Sequence, residues 1–346
     1  MTQPTTVEAP RGADHAAGVV TLPVAVRGLG AYLPKQVLTN DDWAAVLDTS
    51  DEWIRSRTGI VERHVAAPHE ATSDLALAAA EAALADAGLD AADLGAIVVA
   101  TTTPDHQIPG SAPAVAAGLG VTAPALDCNA ACSGFVYGLR LAGGLVATGS
   151  GPVLLVGAEL FSRATDHRDR DTAVLFGDGA GAVVLDHDPA ATLGPFDLGA
   201  DGTQTEILWS PASGSRTPPT PEAVAAGAHL LAMQGREVYR HAVTRMAASS
   251  RAVLDAAGVA PADVDLFVGH QANARILDAV ASRVGITAEQ AHLTVDRHGN
   301  TSAASIPLAL TDARDAGRLH PGDRVLLTAF GAGLTWGSCL LTWSTA

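Results

Sequence analysis

The chain has 346 residues, 48% hydrophobic, 17% charged and 4% aromatic, with a formal charge of −16. That balance excludes a disordered chain, and so acidic a surface argues against general nucleic-acid binding, which runs on basic patches. Mean hydropathy is +0.21, yet the long uncharged stretches, such as 107–126, are broken by Gly and Pro and do not read as membrane-spanning helices.

The start, MTQPTTVEAPRGADHAAG, lacks the basic head and apolar middle of a secretory signal, so the expectation is a soluble, cytoplasmic protein. Residues 1–22 are rich in Thr, Pro and Ala without periodicity and read as a flexible tail. Beyond them, β-branched apolar runs alternate with Ala-rich amphipathic ones. Strands are predicted at Val24–Gly28, Ala96–Thr101, Val153–Gly157, Gly181–Leu185, Leu266–His270, Arg324–Phe330 and Cys339–Trp343. Helices are predicted at Ser73–Ala87, Ser133–Ala147, Gly235–Ala257, Ala274–Val284 and Ser302–Ala316. The alternation points to an α/β protein with largely buried sheets. The stretch 188–232, with PASGSRTPPTPE, reads as a loop-rich connection.

The chain also resembles itself. AALADAGLDAADLGAIVVA (82–100) and AVLDAAGVAPADVDLFVGH (252–270) are offset by 170 residues, and VLLV (153–156) and VLLT (325–328) by 172. Two matches at nearly one offset favour a duplicated architecture, with halves at 23–187 and 188–346 meeting face to face around one site.

Three cysteines, Cys128, Cys132 and Cys339, have neither disulfide-scaffold nor zinc spacing. Cys128 and Cys339 read as small buried hydrophobes. Cys132, in LDCNAACSGFVYGLRLAGG, falls at or just before a helix N-terminus, where unpaired N–H groups and the helix dipole lower a thiol pKa. The buried-hydrophobe reading remains open for it as well. His270 closes a buried strand, a common place for a ligand site in an α/β sheet and also for a simple helix cap. Asn300, in TVDRHGNTSAASIPLAL, is a turn or cap residue by default. The repeat offset puts it nearly opposite Cys132. The loop 330–334 (FGAGL) suits a tight turn whose N–H groups face a ligand, and FGDGAG at 176–181 reads as a tight turn into a buried strand. Neither is a phosphate loop, and GLGAYL at 28–33 lacks the third Gly of a dinucleotide fingerprint.

Taken together and in order, DTSDEWIRSRTGI (48–60), NAACSGF (129–135), FGDGAGAVVL (176–185), GHQANARI (269–276), DRHGNTSAAS (296–305) and FGAGLTWGS (330–338) resemble the β-ketoacyl-acyl-carrier-protein synthase III family over about residues 24–343. The resemblance implies the five-layered αβαβα thiolase-like fold, a homodimer, and a Cys132–His270–Asn300 triad, with no metal and no cofactor because acyl-CoA is a substrate. It implies acyl transfer to Cys132, then decarboxylation of malonyl-acyl-carrier protein and condensation to a 3-oxoacyl product. It assigns the backbone N–H groups of Cys132 and Ala332 to an oxyanion hole. Trp53, Arg57, Arg170 and Asn273 are assigned to coenzyme A, with Trp53 and Arg57 on one helix face behind a Thr49-x-x-Glu52 capping box. Arg275 and Arg283 are assigned to the acidic carrier, a patch diluted by Asp278, and Ile108 to the acyl pocket across the dimer.

Relatives with other chemistry fit less well. Elongating condensing enzymes use a second histidine where this chain has Asn300, although His298 is near. Degradative thiolases need a cysteine in the 330–334 loop, and hydroxymethylglutaryl synthases a glutamate after Asp93; neither is evident. The expected function is the initiating condensation of fatty-acid synthesis. The rival readings are a starter-unit ketosynthase of a polyketide or other secondary pathway, an acyltransferase to a hydroxyl or amine, and a non-catalytic partner subunit.

Overall fold

A computed structural model describes residues 20–344. Among the described residues thirteen strands occur in chain order: β1 (Val24–Tyr32), β2 (Gln36–Thr39), β3 (Glu62–Val65), β4 (Ala96–Ala100), β5 (Ala125–Cys128), β6 (Val153–Leu160), β7 (Asp178–His187), β8 (Leu193–Ala200), β9 (Leu208–Trp209), β10 (Ala232–Met233), β11 (Leu266–Gly269), β12 (Arg324–Gly331) and β13 (Thr335–Thr342). Two mixed sheets dominate, ordered β1-β7-β6-β4-β5 and β11-β12-β13-β8.

Five layers follow from which faces are apolar. Helix Thr72–Ala87 buries Leu75, Ala76, Ala79, Ala80, Ala83 and Leu84 against the outer face of the first sheet. Its alanines, facing Gly28 and Gly30 of β1, let helix and strand backbones approach so closely that a Cβ at either glycine would strike the helix. Helices Gly134–Ala147 and Ser305–Asp315 fill the space between the sheets, sharing one core with Val98, Leu155, Leu185, Val268, Leu327 and Leu341. Helices Gly235–Ala257 and Ala274–Val284 cover the outer face of the second sheet. Strands buried on both faces are continuous apolar runs rather than alternating ones, which is why β4 and β6 stand out in the sequence.

The internal repeat is geometrical as well. Gly88 and Gly258 end their helices with the same left-handed cap, φ 64° and ψ 30°. Each leads through a short 3-10 turn into a strand, β4 or β11, that pairs in parallel with the VLL-bearing strand, β6 or β12.

Three local readings need correction. The stretch 188–232 is not all loop: it contains β8, which pairs with β13 as the edge of the second sheet. The predicted tail falls outside the described residues up to position 19, but Leu22 bridges Leu193 and is no tail. The helix bearing Trp53 is capped by Ser50, whose hydroxyl accepts the Trp53 N–H, and not by a Thr49–Glu52 box. Ser50 stands immediately before the first helical residue, Asp51, where a cap oxygen can reach the N–H three residues on.

Candidate active site

The carboxyl ends of β11 and β12 and the turns ahead of the two central helices open onto one cavity of ≈ 1060 Å³. Cys132, His270, Asn300 and Ala332 all line it, so the four residues named for the chemistry are brought together.

Cys132 sits in the 3-10 turn Ala131–Ser133, which runs into helix Gly134–Ala147. The turn's bonds begin with Ser133 N–H to Ala130 C=O, leaving the Cys132 N–H outside them at its head. The turn is held from the second sheet, since Thr335 Oγ1 donates to Ala130 C=O at 2.8 Å. Gly331 packs so tightly beneath that a Cβ there would lie 2.6 Å from the Cys132 nitrogen. This places the end of β12, where the glycine loop begins, directly against the Cys132 backbone.

The expected lowering of the Cys132 pKa is not met. Burial pushes the thiol up to about 12, the Ser302 hydroxyl acts against this, and the nearby Glu159 carboxyl adds to it. The resting group is therefore the thiol. Cys128 and Cys339 are buried, with burial raising both thiols.

His270 is buried and, with burial the cause, its pKa falls to about 3, so the ring is neutral. Ser305 Oγ lies 2.7 Å from Nδ1 and also accepts the Gln271 N–H. Among the described residues, Nδ1 is the one acceptor near the Ser305 hydroxyl proton. The hydroxyl thus donates to Nδ1, and the ring proton resides on Nε2. Asn300 Oδ1 accepts the Ser302 N–H at 2.9 Å, which orients the amide and leaves Nδ2 to donate. The two side chains are a preset pair of neutral donors. His298, by contrast, does not line the cavity; it is buried edge-on to His64, and burial lowers its pKa to about 4.

At the rim, the guanidinium carbons of Arg57 and Arg170 stand 4.8 and 4.7 Å from the Trp53 ring centroid. Trp53 and Arg57 line the cavity; Arg170 does not, and it donates to Asp48 C=O. Asn273 lines the cavity, but its amide is occupied, capping helix Ala274–Val284 through Arg275 N–H and donating to Arg57 C=O. Arg275 is exposed at the rim, and Arg283 is exposed further along the same helix. Ile108 is 88% exposed on the loop after β4 and does not line this chain's cavity.

Several contributors escaped the sequence reading. Trp209 and Leu231, from the supposed loop 188–232, and Met233 just beyond it line the cavity, as do Phe161 and Phe176, which stack at 4.8 Å. Arg251, exposed like Arg283, donates to the Arg283 carbonyl. Arg63, wholly buried, donates to Leu38 and Val174 carbonyls and to Asn40. Glu159 and Ser302 lie behind Cys132. The one sequence signal for Glu159 is a lone carboxylate in the apolar run VLLVGAEL. Among the described residues no cluster of His, Cys, Asp or Glu is placed to hold a metal ion, and no helix is long and apolar enough to cross a membrane.

Models for 3-oxoacyl-[acyl-carrier-protein] synthase III match residues 126–202 and, for its C-terminal part, residues 254–343. A β-ketoacyl-[acyl-carrier-protein] synthase III of Roseiflexus castenholzii is 50% identical over 323 residues, covering 92% of this chain and 98% of that one. The crystal structure of a synthase III from Thermus thermophilus superposes with a TM-score of 0.87 at 47% identity, covering 93% of this chain and all of that one. The priming β-ketosynthase of the R1128 polyketide pathway superposes with a TM-score of 0.86 at 35% identity, covering 93% and 96%. With its thiolase-like fold and this degree of identity, the chain belongs to the β-ketoacyl-acyl-carrier-protein synthase III family.

Proposed function

We propose that this protein catalyses the initiating condensation of fatty-acid synthesis, joining an acyl group from acyl-CoA to malonyl-acyl-carrier protein with loss of carbon dioxide. The observation that carries the reading is the meeting of Cys132 with the two neutral donors His270 Nε2–H and Asn300 Nδ2–H in one cavity.

The chemistry runs in two stages. The Cys132 sulfur attacks the acyl thioester, whose oxygen becomes negative against the backbone N–H groups of Cys132 and Ala332. Coenzyme A leaves, and malonyl-acyl-carrier protein takes its place. Loss of carbon dioxide turns the malonyl thioester into an enolate. A neutral donor suits this step better than a cation, because a charged imidazolium would also hold the carboxylate that must depart. His270 and Asn300 meet the enolate oxygen, and its carbon attacks the acyl-Cys132 thioester. Removing one such donor typically costs ~10²–10³ in rate.

Trp53, with Arg57 and Arg170 over its ring, provides a stacking surface and positive charge for the adenine nucleotide. Asn273 supports Arg57 from behind. Arg275 and Arg283, with Arg251, offer the basic face for an acidic carrier. The enzyme acts without a resident cofactor, as a cytoplasmic homodimer of chains each divided at about 187/188, with Ile108 serving the partner's acyl pocket. Support for the dimer comes from Ile108 and from Leu126, exposed on the edge strand β5.

The test is product analysis with a panel of acyl-CoAs and malonyl-acyl-carrier protein. A 3-oxoacyl-carrier product with equimolar carbon dioxide is expected from wild type and none from Cys132→Ala. Transfer of the acyl group to a hydroxyl or amine without carbon dioxide would reject the reading. The best starter separates fatty-acid priming from the secondary-metabolic role that the likeness to a polyketide priming enzyme brings into view.

A further inference from the structure

The site contains a donor pair but no evident base for the Cys132 thiol. His270 cannot serve, because Ser305 occupies Nδ1 and Nε2 already carries the proton. Behind the thiol, away from the cavity, lies Ser302, whose Oγ is 3.4 Å from Cys132 Sγ and 3.0 Å from Glu159 Oε1. Neither Ser302 nor Glu159 lines the cavity, and Glu159 is 0% exposed.

A wholly buried carboxylate is costly unless donors surround it, and here they do. The Thr103 hydroxyl accepts the Leu160 N–H and donates to Oε2 at 2.6 Å. The Thr101 hydroxyl accepts the Thr103 N–H and donates to Oε2 at 3.3 Å. Thr102 adds its N–H and its hydroxyl. An ionised carboxylate can only accept, so the Thr101 and Thr103 hydroxyl protons are directed at Glu159. The cradle is built for an anion. Burial nevertheless raises the pKa of this carboxyl, which makes it a better proton acceptor than an ordinary glutamate.

Ser302 has one hydroxyl proton for two neighbours. Either it donates to Glu159 while the thiol S–H donates to Oγ, or it donates to the Cys132 thiolate while Glu159 is protonated. These two states differ by one proton moved along a chain of three residues.

We propose that Glu159, acting through Ser302, takes the Cys132 thiol proton on acyl transfer and holds it until condensation returns the cysteine thiolate. This rests on the acyl-transfer reading above. On acylation the Sγ–carbonyl bond forms, the bond to the CoA sulfur breaks, and the thiol proton moves to Ser302 as Ser302 passes its own to Glu159. Coenzyme A leaves as the thiolate into the open cavity and takes a proton from solvent. On condensation the enolate carbon bonds to the acyl carbon, the Sγ–carbon bond breaks, and the Cys132 sulfur recovers its proton from Glu159 by way of Ser302. The sum consumes one solvent proton per turnover, as the overall reaction requires, and consumes it in the first stage. The site is thus one negative charge lighter when the anionic malonyl group arrives.

The experiment is single-turnover stopped flow at pH 7 in weak buffer with a pH indicator, using wild-type enzyme and acyl-CoA, then a malonyl-acyl-carrier-protein chase read before carbon dioxide hydrates. One proton is expected to be taken up during acylation and none during discharge. No uptake on acylation and one on discharge would overturn the proposal. Mass spectrometry of the same samples separates this from failure of the functional reading itself, in which no acyl adduct forms. Glu159→Gln and Ser302→Ala should each slow acylation about 10²-fold or more, with the double variant no slower than either alone. Ala131 already holds the backbone angle of Ser302, so alanine is tolerated there if Glu159→Gln fails to fold. Folded single variants that acylate at the wild-type rate would also overturn the proposal.

Discussion

Ala131 and Ser302 hold the same left-handed backbone angle, φ 49°, each opening the 3-10 turn that precedes one of the two central helices. A residue with a Cβ is strained there by roughly 1–2 kcal/mol. The two turns pack on each other, and the strained residues bring Cys132 Sγ and Ser302 Oγ within 3.4 Å.

Ala131→Val puts a β-branched residue in that conformation. It should destabilise the fold by about 1–3 kcal/mol and displace the neighbouring nucleophile, whereas Ala131→Gly should keep the melting temperature within a few degrees. Thermal melts and the rate of acyl-adduct formation check both.

The Cys132 thiol, raised by burial to about 12, is protonated across the neutral range. A raised thiol pKa means the thiolate fraction grows with pH. Alkylation of Cys132 by iodoacetamide in the free enzyme should therefore climb roughly tenfold per unit from pH 7 to 10. A plateau already present at pH 7 would show a thiolate at rest.

His270, with its pKa lowered to about 3, stays neutral at working pH. Discharge of preloaded acyl-enzyme by malonyl-carrier should show no inflection from this ring near its ordinary value of about 6.5. Ser305→Ala frees the ring to adopt the other tautomer, so discharge should slow about tenfold or more while acylation changes little. Single-turnover rates for the two stages supply the check.

Trp53 carries the stacking surface at the rim. Trp53→Ala should raise KM for acyl-CoA about 5- to 30-fold, the equivalent of ~1–2 kcal/mol. It should leave the same acyl group on a truncated pantetheine thioester unaffected. Equal losses on both donors would place the residue in a structural role instead.

The parts of this molecule that were legible in sequence share a cause. β4, β6, β11 and β12 are buried on both faces along nearly their whole length and therefore carry apolar runs such as AIVVA, VLLV, LFVG and VLL, and helix ends at Gly88 and Gly258 need a left-handed residue. β8 was hidden because Gly194, Pro195 and Gly199 interrupt it. An edge strand tolerates such residues, and Gly199 gives the Trp336 ring room to lie against the backbone. The cap at Ser50 was misplaced by one residue because Thr49 and Ser50 are both good caps and only geometry chooses. Cys132, His270 and Asn300 could be named from motifs, but the height of the thiol pKa could not, since burial is a property of the assembled pocket. Glu159 gained meaning only from donors on Thr101, Thr102 and Thr103, 56 to 58 positions away, and from Ser302.

The central claim is that Cys132 carries the acyl group while His270 and Asn300 act in condensation. The most direct measurement is intact-protein mass after loading with acyl-CoA and again after a malonyl-carrier chase, for wild type, Cys132→Ala, His270→Ala and Asn300→Ala. Wild type should gain one acyl group and lose it on the chase. Cys132→Ala should never gain it, and the other two should gain it but retain it through the chase. An adduct on Cys132→Ala, or prompt discharge from both His270→Ala and Asn300→Ala, would contradict the account.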